Sequence, residues 1–239
     1  MISHRIILAA SLLGCANNVV PRSTPETPAA GNDRATVTGR VVDADGAPVA
    51  GATVVMRAST ERTTSDGAGT FTLNVPANTT LTLAATAPGM APALLQQFLV
   101  SPGASAAVEL RLITAARFKS LVAMGANPAG GVVAVALRSI SAQGSLAGAT
   151  VELTPSLGRV MYAPAGAGIG APDPMLLAIE QDDDAYAWAL GVQPHVSIMQ
   201  LALHGVPAVE PPYALDDVTW PGTFTVDAGA LTLVTLLMK

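Results

Sequence analysis

Cysteine is nearly absent from this chain, and the single one, Cys15, stands close to the N-terminus. No internal disulfide can form, so stability has to come from apolar burial. Aromatic residues make up only 4% of the sequence and charged residues 12%, against a hydrophobic share of 50%. The core is therefore built from Ala, Val and Leu with few ring anchors, and the surface is poor in charge. There is no basic run, and the formal net charge is −5. That excludes nucleic acid as the natural partner. No late stretch is long enough to cross a membrane as a helix. The most apolar one, Leu231 to Met238, is short and broken by two threonines, and reads as a buried strand. Histidine is scarce as well, three in all. Zinc hydrolysis, which needs several imidazole or carboxylate ligands, has little to draw on. No Gly-x-Ser-x-Gly elbow occurs, and no free thiol or general acid–base pair is evident, so no enzyme is expected and no cofactor.

What the chain does have begins at its N-terminus. Met1 to Arg5 is a short basic region and Ile6 to Leu13 a compact apolar one, closed by Gly14 and Cys15. This is the layout of an export signal. The run Leu12-Leu13-Gly14-Cys15 also resembles the lipobox of bacterial lipoproteins. The resemblance implies cleavage after residue 14 and acylation of the Cys15 thiol, so that a membrane is the first partner. Ala16 behind the cysteine resembles outer-membrane sorting. Residues 15–34 contain three prolines among small polar residues and show no periodicity, as expected of a flexible tether.

From residue 35 the pattern turns to period two. Val37, Val41, Val54, Phe71, Leu73 and Val75 alternate with polar or small residues. Asp43-Ala44-Asp45-Gly46 and Ser65-Asp66-Gly67 supply turns. Turn signals about every ten residues predict a small all-β sandwich. The runs Gly39 to Val54 and Thr64 to Leu73 resemble the carboxypeptidase regulatory-like domain, over about residues 35–113. That family is related in fold to transthyretin and to Cna protein B-type repeats. The resemblance implies a non-catalytic Greek-key sandwich. Gly89-Met90 stands where the family usually has Gly-Tyr.

The second half is less regular. Residues 114–129 read as a linker. Gly144 to Val151 echoes Gly46 to Val54 after one deletion, and Gly222 to Val226 either echoes Gly69 to Leu73 or, with Pro221, forms the Pro-Gly turn that enters a late strand, two alignments that exclude each other. The repeat predicts a second, diverged sandwich over 130–239, elaborated between about Leu157 and Val218. The fold class expected is thus all-β, as tandem Greek-key sandwiches of transthyretin-like type behind a signal and a tether.

All three tyrosines and both tryptophans fall in this second half. Tyr162, Tyr186, Trp188, Tyr213 and Trp220 are therefore the candidate recognition surface, since such side chains are common at interfaces. Packing in a larger core is the competing reading. Asp182, Asp183 and Asp184 are weak calcium candidates, lacking any regular ligand spacing. His195 and His204, with Met199 between them, are a still weaker metal candidate. Asp216-Asp217 are sequence neighbours, whose side chains point apart on an extended chain. The function expected is a structural or adhesive, ligand-binding role at the cell envelope, with an unknown protein or glycan as ligand. The alternatives are a carbohydrate-binding module and an accessory of envelope transport or assembly.

Overall fold

The computed structural model describes residues 33–239 except 126, 140–144, 155–157, 166–168, 181–184, 195–196, 199, 207, 210–211, 216–217 and 239. Eight strands come from the first half: β1 (Arg34–Val42), β2 (Thr53–Met56), β3 (Arg62–Thr64), β4 (Thr70–Pro76), β5 (Leu83–Thr86), β6 (Ala93–Leu95), β7 (Leu99–Val100) and β8 (Ser105–Arg111). A helix, α1 (Ala115–Met124), follows. The rest is again β: β9 (Gly131–Ser139), β10 (Thr150–Thr154), β11 (Arg159–Tyr162), β12 (Ala185–Val192), β13 (Ser197–Ile198) and β14 (Gln200–His204). The last four are β15 (Tyr213–Leu215), β16 (Val218–Trp220), β17 (Phe224–Thr225) and β18 (Leu231–Met238). The chain is all-β in class, as its period-two pattern predicts.

The turns between the early strands follow from two aspartates. Asp43 Oδ1 accepts the backbone N–H groups of Asp45 and Ala47, each at 2.9 Å. Asp66 accepts those of Ala68 and Thr70 and the Thr70 hydroxyl. The Thr70 hydroxyl, more than any other contact, holds the Asp66 carboxyl below its ordinary range. Both acids are consumed by turn geometry.

The two echoes in the sequence are echoes in conformation. Gly51 and Gly148 both have positive φ, 70° and 83°, and each leads into a strand, β2 and β10. Ala52 and Ala149, next in line, are both fully buried. Gly69 and Gly222 likewise sit at φ 73° and 78°, ahead of the buried Phe71 and Phe224.

The halves are not separate beads. One eight-stranded sheet runs β11-β12-β9-β18-β6-β5-β2-β3. Strand β18 is the join: it pairs in parallel with β6 through Leu231–Leu233 and with β9 along its whole length. The expected linker is not a spacer either. Thr114 caps α1 by accepting the Arg117 N–H, and Phe118 and Leu121 are buried. Gly125, just past the helix, fits where a Cβ would meet the Gly191 backbone N at 2.8 Å. Period two identifies strands without naming their partners, so the shared sheet is invisible until the strands are placed.

Central strands with both faces covered read as continuous apolar runs. In β9, Val132 and Ala134 enter the core shared with the first half, while Val133, Val135 and Leu137 enter a second core. In β18, Leu231 and Leu233 go one way and Val234, Leu236 and Met238 the other. On the first face lies the three-stranded sheet β4-β1-β8. On the second lie the pairs β10–β14 and β13–β17, which supply Val151, Leu153, Leu203 and Phe224.

Candidate functional site

The three-stranded sheet ends at β8, and the large sheet continues beyond that edge. A cavity of about 140 Å³ lies between them. Its floor is Leu95, Ala134, Ala136, Leu233 and Thr235, from β6, β9 and β18. Tyr186, Tyr213 and Trp220 contribute rings, and Glu109, Arg111 and Arg138 the charges. Glu109 and Arg111 are two apart on one strand and so share a face. Arg111 Nε donates to Glu109 Oε1 at 2.8 Å.

The five expected surface aromatics divide. Tyr162 and Trp188 are core residues, which corrects the expectation that they present a surface. Tyr162 lies in the second core, and its hydroxyl oxygen accepts the Val151 N–H at 3.0 Å. Burial raises its pKa. Trp188 has no exposed surface, and its indole N–H donates to the Gly170 carbonyl at 3.0 Å. Buried rings of this kind need a partner for the polar atom, and each has one. Tyr213 is also buried, though it borders the cavity. Its hydroxyl donates to the Thr235 carbonyl at 2.7 Å. Burial pushes its pKa from the ordinary 10.0 up to about 12. Only Tyr186 and Trp220 are half-buried on the cavity wall. Trp220 is braced by Phe98, with ring centroids 5.6 Å apart at 43°.

Sequence reasoning missed the charged rim and one further device. Gln96 is a buried polar residue whose side-chain oxygen accepts the Thr235 N–H. It carries on the β18 ladder where β6 ends, and so shapes the cavity floor. The signal available was Glu109-x-Arg111 on a strand-like run, which is weak by itself.

The other candidates gather no site. Asp182, Asp183, Asp184, His195, Met199, Asp216, Asp217 and the lipidation candidate Cys15 lie outside the described residues. His204 Nε2 meets Glu152 Oε2 at 2.8 Å across β14 and β10, on the exposed face. Among the described residues no three potential ligands are grouped to hold a metal. No described helix is long and apolar enough to cross a membrane.

Known structures give distant likenesses. A type II cohesin–X-dockerin complex from Acetivibrio cellulolyticus is 20% identical over 34% of this chain and 58% of that one, with a TM-score of 0.29. The Bacillus anthracis TIE protein is 10% identical, covering 86% of this chain and 34% of its own, at 0.27. A streptococcal ancillary pilin is 14% identical, covering 87% and 63%, at 0.25. At these scores none is a structural equivalent. No curated protein sequence matches the chain. The family of carboxypeptidase regulatory-like domains does match, over residues 36–113, the stretch from β1 to the end of β8 and the two residues that follow. Over that stretch the chain is similar to carboxypeptidase regulatory-like domains.

Proposed function

We infer that the protein is a non-catalytic ligand-binding lipoprotein of the cell envelope, tethered through Cys15, with the cavity beside β8 as its binding site. The observation that carries the binding part is the convergence of Tyr186 and Trp220 on one cavity with Glu109, Arg111 and Arg138. Apolar walls with a few convergent polar groups are the usual make-up of a ligand site. The ligand is a protein or a glycan of the envelope, and the role is structural or adhesive. The anchor rests on the lipobox-like run at Leu12 to Cys15.

Two experiments test this reading. Trp220→Ala and Tyr186→Ala should each reduce capture of envelope ligands in a pull-down from intact envelopes. Capture equal to that of the wild type by both variants would remove the cavity from the account. Metabolic fatty-acid labelling should mark the wild type and leave Cys15→Ala unlabelled. Equal labelling of the two would end the anchor reading, and with it the outer-membrane location.

A further inference from the structure

Between Ala163 and Asp173 the chain leaves the large sheet and returns to it. Backbone fixes both ends of this excursion: the Ala163 N–H donates to the Tyr186 carbonyl and the Asp173 N–H to the Tyr162 carbonyl. Among the described residues from 164 to 172, no backbone–backbone hydrogen bond is made. Two side chains from other elements hold that part instead, at consecutive carbonyls. Arg117 Nη2, on α1, donates to the Ile169 carbonyl, and the Trp188 indole N–H, on β12, donates to that of Gly170. Ile169, so held, is buried and lines the cavity.

The two holds differ in kind. Trp188 has no exposed surface and belongs to the shared core. Arg117 is half-buried, yet its Nε lies buried with no hydrogen-bond partner among the described residues. Burial lowers the pKa of this guanidinium, and Asp45 acts against that shift. A buried N–H of a charged group without an acceptor costs free energy that hydration would return. The bond to Ile169 is thus opposed from within the same side chain, and of the two holds it is the one that can release. We propose that Arg117 is a positioning residue for the cavity, holding Ile169 in its wall, and that the wall opens when the guanidinium lets go. Opening also uncovers Trp188 behind Gly170. This rests on the cavity reading above and adds what sets the shape of the site: the helix that stands where a linker was expected.

Trp220→Phe leaves Trp188 as the only tryptophan of the full chain. Acrylamide quenching of its fluorescence then reads the wall with no ligand present. With Arg117 in place quenching should be weak. Arg117→Met keeps the length of the side chain and removes its donors. It should raise the quenching constant about threefold or more, at a temperature well below the unfolding midpoint, because the opening is local. Arg117→Lys still offers a donor to the Ile169 carbonyl and should restore most of the shielding. Phe118→Leu loosens the same helix from its buried side, leaves the Arg117 bond in place, and should change quenching little. Unchanged quenching in Arg117→Met would overturn the positioning role. A rise of the same size in Phe118→Leu would overturn it too, by assigning the effect to helix packing. Equal quenching in Arg117→Lys and Arg117→Met would remove the hydrogen bond as its basis. No ligand enters the measurement, so these outcomes stand apart from the envelope pull-down, which alone decides whether the cavity binds.

Discussion

The first half of the folded chain and the second solve the same packing problem with different materials. Residues 34–113 contain no tyrosine or tryptophan, and their core is aliphatic around Phe71 and Phe98. Their corners are made by aspartates that bind their own turns. The second half has long apolar strands, buried on both faces, and large rings whose polar atoms are tied to the backbone. Trp188 reaches Gly170, Tyr162 meets Val151 and Tyr213 reaches Thr235. Local turn chemistry is read residue by residue. A ring tied to a distant carbonyl is set only when the sheet has formed. The half with the local turn chemistry is the one over which the family pattern is recognised.

The comparison can be broken most forcefully at Trp188. Trp188→Ala should cost about 3–5 kcal/mol in urea denaturation, from a cavity in the shared core and an orphaned Gly170 carbonyl. A loss below about 1 kcal/mol would mean that the second half does not lean on its rings. The matching test in the first half is Gly39→Ala. A Cβ there would lie 2.5 Å from both Phe71 Cζ and the Val108 carbonyl oxygen. Backbone cannot yield as a side chain does, so about 2 kcal/mol should be lost. An unchanged midpoint would show that β1 and β8 are free to part.

Tyr213→Phe sharpens the contrast with a pH dependence. At neutral pH it should cost about 1 kcal/mol, through the lost bond to Thr235. The folded phenol, raised chiefly by burial, titrates near 12 against an ordinary 10.0. The folded state keeps a proton that the unfolded chain loses, so this stabilisation is complete below pH 10 and fades as pH climbs toward 12. Tyr213→Phe should abolish that part of the alkaline loss, while Tyr162, also raised by burial, keeps its own part. A wild type and variant with parallel alkaline curves would sink the assignment. The smallest effect belongs to Arg57, which joins the halves through Asp227 at 2.9 Å and Thr225 at 3.2 Å. The pair is largely exposed, so Arg57→Ala should cost about 0.5 kcal/mol and diminish further in high salt.

The fold class and the strands were legible because inward residues alternate from Val37 through Val75 and because Asp43 and Asp66 mark turns. The repeats were legible because Gly51 and Gly148 need the same left-handed backbone. What could not be read was pairing. Nothing local says that β18 joins β6 as well as β9, or that Phe118 anchors a helix in an expected linker. The aromatic cluster was half legible. Composition located the rings in the second half, but only three-dimensional placement separates Tyr186 and Trp220 from Trp188 and Tyr162.

Strand β18 follows every other strand in the chain, yet it lies in the middle of the largest sheet, between β9 and β6. Until it arrives, both of those neighbours face solvent along an unpaired side, and the regulatory-like segment has no flank to rest on. The molecule is therefore a clasp that closes last. During synthesis the earlier strands wait longest in the state most prone to stick to other chains. A chain stopped after Ala230 should aggregate rather than yield a soluble folded first half, and recovery of such a half as a stable monomer would refute this order of events.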